Sequence, residues 1–465
     1  MPTDPATTSQ VQAYRFVLRR MESALVRKDA VMLHEAMRHH LRATAVGVVL
    51  GVMGLVAAFM LGGFGPSGDL SANEIVIDES ESVYVVSGDP LSLIAVPNVP
   101  SARLLLVALA PGRDAPAPRR VATAALSGLR RLPAVGLPFV PPLPAPENLI
   151  KGVWSVCDGP GPQPAATVLI QERPPAAPAL RDDQALLVTD QAGTATYLLR
   201  REGRAQIDPH DPAIRNTFRL AGVVPRKIST GLLNAIPLDR HPLTLPPLPA
   251  ARPIPQLPGS QTGDVVWVKG VQDSYYLLLP QGKQLVEHAV ADLIRFQRSR
   301  DPEPAVVTPE AIARVPDVAA EDALDYEGFP ARAPQILKDT EASAACLTWP
   351  DPNRPPAISL NPDGVPLAKG QNPVPADHAA TGPGADFVFL PPSQGALVRS
   401  VLTGQNPDRA PIWLVTDQGT RYGVPSIEVA RALGLGETTT PAPERILALL
   451  PIGDPLDPQR IGYHP

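Results

Sequence analysis

The chain has 465 residues, with 41 Lys and Arg against 46 Asp and Glu and a formal net charge of −5. That balance excludes a nucleic-acid binder working through a basic surface, and the length allows two to four domains. The 59 prolines, set beside few aromatic residues, exclude long helices and long central strands over most of the chain, because proline donates no backbone hydrogen bond and fixes its own φ. The composition calls for small units joined by extended connectors.

Residues 1–9 are polar and show no periodicity. From Gln10 to Leu41, Tyr14, Val17, Leu18, Met21 and Leu25 recur at three- and four-residue steps, while Arg15, Arg19, Arg20, Glu22 and Arg27 fall largely on the other side. The spacing predicts a basic amphipathic helix within segment 1–42. Such a helix either lies on anionic headgroups or presents a docking surface to cytosolic partner domains. His34, Glu35 and His39 do not make a zinc site, since a five-residue step turns the two rings about 140° apart.

Residues 43–64 read ATAVGVVLGVMGLVAAFMLGGF and carry no charge. At about 1.5 Å per residue, a helix of this length crosses a hydrocarbon core roughly 30 Å thick. Arg15, Arg19, Arg20, Arg27, Lys28, Arg38 and Arg42 precede it, and no Lys or Arg follows before Arg103. Basic residues mark the cytoplasmic side. The expectation is a single-pass protein of the plasma membrane, with a cytoplasmic N-terminus and an extracytoplasmic bulk.

An acidic linker, 65–81, leads into a pattern that recurs. Leu187-Val188-Thr189-Asp190-Gln191-Ala192-Gly193-Thr194 echoes Leu414-Val415-Thr416-Asp417-Gln418-Gly419-Thr420, and each predicts a β-hairpin with Asp and Gly at the turn. Weaker copies lie at Val265–Leu279 and Val83–Ile94, and each hairpin is followed by two short helices separated by proline. The boundaries read as repeats at 82–146, 181–258, 259–332 and 401–465. Two segments, 147–180 and 333–400, would build a central β-rich piece, with one pair of repeats inside the cysteine loop and one pair from its flanks. The fold class is therefore α+β. Cys157 and Cys346, both beyond the span, read as one disulfide in an exported chain, with two separate buried thiols as the alternative.

The search for chemistry returns no site. There is no G-x-x-x-x-G-K-[ST] phosphate loop, since Gly282-Lys283 continues into Gln284, and no G-x-S-x-G elbow. His210, His241, His288 and His378 are scattered. Asp190 and Asp417 read as turn caps in preference to an aspartic-protease pair. The expectation is no catalytic, cofactor-binding or metal-binding residue, and no cofactor.

Specific blocks carry a family resemblance. They are Gln12-Ala-Tyr14-Arg15-Phe16-Val-Leu-Arg19-Arg20-Met21-Glu22, Ala24-Leu25-Val26-Arg27-Lys28-Asp29, Trp154-Ser-Val-Cys157-Asp158 and Trp413-Leu-Val-Thr-Asp417-Gln-Gly-Thr-Arg421-Tyr422-Gly423. The chain resembles, nearly end to end, the EccB family of membrane components in actinobacterial type VII (ESX) secretion systems. The resemblance implies a structural subunit that stabilises an export channel from outside, with four repeats around a central β domain and one disulfide. It implies a cytoplasmic docking segment holding Tyr14, Arg15, Phe16, Arg19, Arg20, Arg27 and Lys28. The implied partners are the EccC motor, EccD, EccE, the mycosin protease and further copies of the chain. ATP hydrolysis, ascribed to some relatives, and binding of the cell wall are the alternatives.

Overall fold

The amphipathic spacing of the N-terminus forms a helix at Thr8–Arg27, and a second helix runs over Glu35–Gly63. The computed structural model describes residues 7–27, 35–63, 69–113, 116–159, 163–175, 178–201, 203–239, 243–244, 247–270, 273–298, 303–338, 343–351, 354–376, 384–402 and 406–463. The second helix continues through the boundary expected at 42/43, so Arg42 and the apolar run share one element. Val46, Val48, Leu50, Val52, Met53 and Leu55 are all exposed around it. Among the described residues, no helix is long and apolar enough to cross a membrane. The described side chains of the apolar run span 43–57, short of the roughly 20 residues that a crossing needs; Phe64 lies outside the described residues.

The chain divides into two compact units. The first holds the N-terminal helices with residues 76–81 and 119–129. Within it Val76 and Ile77 pair in parallel with Arg119 and Arg120, and Arg120 meets Glu81 at 2.5 Å. The second holds 71–75, 82–118 and everything from Arg130 onward. The whole is a mixed α+β protein with several separate sheets.

Among the described residues, one order of elements, three strands, a helix, a short strand and a second helix, occurs in four stretches. In the stretch that begins at Gln184, strands Gln184–Thr189, Thr196–Leu199 and Arg204–Ile207 form an antiparallel meander. Helix Pro212–Thr217 then returns the chain so that Arg226–Lys227 runs parallel to the first strand, before helix Thr230–Ala235. Val265–Val268, Ser274–Leu279, Gly282–Val286, helix His288–Arg298, Ala305–Val306 and helix Pro309–Ala313 repeat it. So do Gly395–Val401, Ile412–Thr416, Arg421–Val424, helix Ile427–Ala432, Thr440–Pro443 and helix Glu444–Leu447. In chain order these are modules one to four, and module one comprises Glu74–Ile77, Val83–Ser87, Ser92–Val96, helix Val99–Leu109, Arg119–Arg120 and helix Thr123–Leu126.

The strand pairing departs from the sequence pattern at two places. Strand Gly395–Val401 falls at the expected end of the central segment, yet it pairs with Ile412–Thr416 and opens module four. The echo Leu187–Thr194 and Leu414–Thr420 is also not positional. The first joins strands one and two of its module, and the second joins strands two and three. The shared letters record a turn, because Gly193 and Gly419 both take positive φ, 74° and 76°. They do not record a place in the repeat.

A six-stranded sheet lies between the modules in sequence. Its order is Ala357–Asn361, Ala344–Trp349, Val153–Asp158, Ala166–Gln171, Phe387–Phe389, Val374–Pro375, and only the pair 166–171/387–389 is parallel. Every residue of Ala166–Gln171 is buried, so both faces of this sheet are covered. One face carries Trp154, Val156, Val168, Ile170, Ala345 and Leu347, in a core shared with Leu232 and Leu233 of module two and Ile446 and Leu447 of module four. The other carries Cys157, Leu169, Ala344, Cys346 and Phe389.

Two further cores join modules in pairs. Val85, Ile94, Leu104 and Leu105 of module one share a core with Ile412, Leu414, Val429 and Leu433 of module four. Leu187, Leu198, Ile214 and Phe218 of module two share one with Leu293 of module three. The pair inside the cysteine loop and the pair from its flanks are thus each fused by apolar burial.

Candidate functional site

Cys157 and Cys346 stand opposite each other on neighbouring antiparallel strands, in the register that also sets Trp154 opposite Trp349. Their Cα atoms are 4.1 Å apart, the close approach of a non-hydrogen-bonded pair, and the sulfurs are bonded at 2.04 Å. Both side chains are buried, at 0 and 1 % exposure, so the bond is shielded from reductant. Ser155 Oγ and Thr348 Oγ1, 3.0 Å apart, lie on the same face two residues away.

Beside this bond lies a charged cluster that sequence reasoning missed. Asp158 is fully buried next to Cys157. Its carboxylate accepts the Ser229 N–H and the Ser229 Oγ–H, each at 2.5 Å, and Ser229 Oγ accepts from the Leu232 N–H at 3.0 Å, capping helix Thr230–Ala235. Burial pushes the Asp158 carboxyl up to about 6, opposed by the two Ser229 bonds and by the Arg226 charge. Arg226 donates to Ser343 Oγ and to the Ser343 carbonyl, each at 2.9 Å. One carboxylate and one guanidinium thus fasten module two to both cysteine strands. The available signal was Cys157-Asp158 followed by Arg226-Lys-Ile-Ser229, but no local pattern pairs them across 71 positions.

Of the two aspartates read as turn caps, Asp190 bonds within its own turn and Asp417 reaches a loop 24 positions away. Asp190 accepts from the Thr194 N–H and hydroxyl at 2.6 Å and from the Ala195 N–H at 3.1 Å, and the Thr194 bond holds its carboxyl below the usual carboxylate range. Asp417 accepts from the Ser393 N–H at 2.8 Å. Both turns also reach the central sheet. Gln191 Nε2 donates to the Pro164 carbonyl at 3.1 Å, and Gly419 sits so close to Val388 that a Cβ there would lie 2.7 Å from it. Among the described residues no group of His, Cys, Asp or Glu could hold a metal ion. His34, His241 and His378 lie outside the described residues.

On helix Thr8–Arg27, Tyr14, Val17, Leu18, Met21 and Leu25 form an exposed apolar stripe, with Arg15, Arg19 and Arg20 exposed beyond its edge. Phe16 is 58 % exposed and stands about 200° from Tyr14, among the arginines. Lys28 lies outside the described residues, and the Arg27 side chain does as well. The helix offers an apolar face and a basic face at once, the chemistry of a surface that meets a partner.

Repeated small modules fused to a disulfide-joined sheet, carrying an N-terminal amphipathic helix, define a class of multi-part scaffold. Residues 3–462 match the family described as Type VII secretion system ESX-1, transport TM domain B. The chain belongs to the EccB family of type VII secretion proteins. It is similar to a Mycolicibacterium smegmatis protein named ESX-3 secretion system ATPase EccB3, 31 % identical with 97 % of this chain and 89 % of that protein covered. It is 29 % identical to a Mycobacterium tuberculosis protein named ESX-1 secretion system ATPase EccB1, covering 96 % of this chain and 92 % of that one. Its fold matches a chain of an intact ESX-5 inner membrane complex, with a TM-score of 0.68 at 26 % identity, over 100 % of this chain and 96 % of that one. It also matches a chain of an EccB3 dimer from the ESX-3 core complex, with a TM-score of 0.67 at 26 % identity, over 84 % of this chain and all of that one.

Proposed function

We propose that this chain is a structural subunit of an ESX inner membrane complex, anchored by one span at 43–64 and stabilising the export channel from the extracytoplasmic side. The match along residues 3–462 carries the reading, because it takes in the N-terminal helix, the apolar run and the modules together. Four repeats packed around a central β domain would form the outer part, and self-association would occur there, as in the related EccB3 dimer. The cytoplasmic helix, through Tyr14, Arg15, Phe16, Arg19, Arg20, Arg27 and Lys28, would dock cytosolic domains of the EccC, EccD and EccE subunits. The mycosin protease would be the partner outside.

The test is mild-detergent purification of the tagged full chain from its own membrane, followed by native-gel sizing and mass spectrometry. Migration in a very large assembly with a multi-domain motor ATPase and a many-span protein is expected. A chain that runs alone overturns the reading. Relatives named as ATPases keep hydrolysis as the second reading. It requires turnover by the purified full chain above that of a buffer control.

A further inference from the structure

Modules two, three and four each carry a base at the start of the third strand: Arg204 and Arg421 open theirs, and Lys283 follows Gly282 in its own. Each donates its backbone N–H to a proline carbonyl, that of Pro237, Pro316 or Pro451. The carbonyl of each base in turn accepts the backbone N–H of Asp239, Val318 or Gly453. The residue in between, Leu238, Asp317 or Ile452, bridges the base in parallel, so the two side chains leave the same face.

Module three satisfies its base internally. Lys283 Nζ meets Asp317 Oδ1 at 2.9 Å and donates to the Val315 carbonyl at 2.6 Å. Modules two and four put Leu238 and Ile452 where that carboxylate would be, 56 and 66 % exposed. The Arg204 guanidinium lies over the Tyr197 ring at 5.1 Å, and its Nε is buried without a hydrogen-bond partner among the described residues. Burial lowers its affinity for its proton, and the nearby Arg445 adds a like charge. The Arg421 guanidinium lies over Trp413 at 4.7 Å, donates to the Leu450 carbonyl at 3.2 Å and has Glu444 near it. Arg445 lies near Arg204 and its neighbour Glu444 near Arg421, so the start of helix Glu444–Leu447 links the two bases, with Leu238 beside one and Ile452 beside the other. A half-buried guanidinium without an acceptor is costly, and exposed branched apolar side chains beside it add to that cost.

We propose that this face docks an acidic segment of a partner protein, whose carboxylates take up Arg204 and Arg445 and whose apolar side chains cover Leu238 and Ile452. The charge left over on the face selects the partner, since module three shows that the same site closes on itself once a carboxylate is supplied. The inference rests on the chain working within a multi-protein assembly.

The test places a photo-crosslinking side chain at Glu444 in the full-length protein in its native membrane, and sequences the crosslinked peptide. A peptide from another protein that carries Asp or Glu beside apolar residues is expected. Leu238→Asp with Ile452→Asp gives both bases the internal carboxylate of module three and should cut the crosslink more than tenfold while the thermal midpoint holds. Arg204→Met, which keeps the packing on Tyr197, should give a similar loss, so a folding defect in the aspartate pair does not decide the result. Crosslinks confined to lipid, wall glycan, a second copy of this chain or a segment without acidic residues overturn the proposal, as does a yield that neither variant lowers. If the wild-type chain joins no large assembly, the structural-subunit reading fails with it. If it assembles and Glu444 captures no acidic segment, only the docking face fails.

Discussion

Removing the disulfide isolates how much of the outer fold depends on a single covalent link. The perturbation is Cys157→Ala with Cys346→Ala, chosen over serine so that no hydroxyl is buried where both sulfurs are shielded. The bond closes a loop of 189 positions, and the chain-entropy relation for such a loop gives about 5 kcal/mol at 25 °C. Cross-strand pairing from Trp154↔Trp349 to Asp158↔Ala345 needs no sulfur, so the folded sheet persists and the loss comes from a less constrained unfolded chain. Trp154 and Trp349, 1 and 7 % exposed, stand opposite each other three residues from the bond and report the packing of the same strand pair by fluorescence.

The assay is equilibrium guanidinium unfolding of the detergent-solubilised full chain, oxidised wild type against the double variant. The expected difference is about 5 kcal/mol, with an unchanged native emission spectrum. In the wild type, dithiothreitol should release thiols only under conditions that unfold the sheet. A difference under about 1 kcal/mol, or free thiols appearing in the folded protein as fast as in denaturant, refutes the reasoning.

Asp158 makes stability depend on pH in a defined direction. Its carboxyl, raised to about 6 when folded, favours the protonated folded state, so this contribution is complete below about pH 4 and is lost as pH rises through 6. A shift of that size amounts to about 3 kcal/mol, and Asp158→Asn should remove that slope when unfolding free energies at pH 4 and pH 7 are compared with wild type. Arg226→Met should cost about 3 kcal/mol in the same unfolding assay, because it removes both guanidinium bonds to Ser343 and the positive charge beside Asp158. The two glycine turns form an internal control. Gly193→Ala has nothing within 4 Å of the new Cβ and should cost about 1 kcal/mol, the strain of positive φ alone. Gly419→Ala adds an approach of 2.7 Å to Val388 and should cost about 2 kcal/mol more; equal losses in thermal melts would show that the turn does not seat on the central sheet.

What the sequence reveals is set by how local each cause is. The turn at Asp190 was legible because the carboxylate, the glycine and the strands it joins lie within a few positions of one another, whereas the bond from Ser393 to Asp417 spans 24 positions. The pairing of Cys157 with Cys346 followed from there being only two cysteines beyond the apolar run. The short parallel strands were not legible, since Arg226–Lys227 acquires strand geometry only by lying beside Val188 and Thr189. Gly395–Val401 is apolar enough for either sheet, and only pairing assigns it to module four. The Asp158–Ser229 contact and the Arg204 face depend on residues brought together by the fold, so no window of sequence contains them. The apolar stripe on the N-terminal helix was visible for the opposite reason: exposed apolar residues at three- and four-residue steps are a local pattern.

The placement of the bond explains why the cluster beside it is charged. The cysteine strands bracket modules two and three in sequence, so the disulfide fixes where that excursion leaves and returns but not how it is oriented. Orientation comes from Asp158 and Arg226, which bind the second helix and the parallel strand of module two to both cysteine strands at once. An apolar contact at that junction would stabilise a range of angles, because apolar burial is not directional. Two short bonds to a single serine, and a guanidinium gripping one residue through two acceptors, permit only one. The face that carries Arg204 and Arg445 crosses from module two to module four, so its charges keep their spacing only if that orientation holds. Arg226→Met should therefore reduce the Glu444 crosslink even under conditions where the chain remains folded. A crosslink yield that stays at the wild-type level in the folded variant would show that the charged cluster contributes stability without setting the geometry of the outer face.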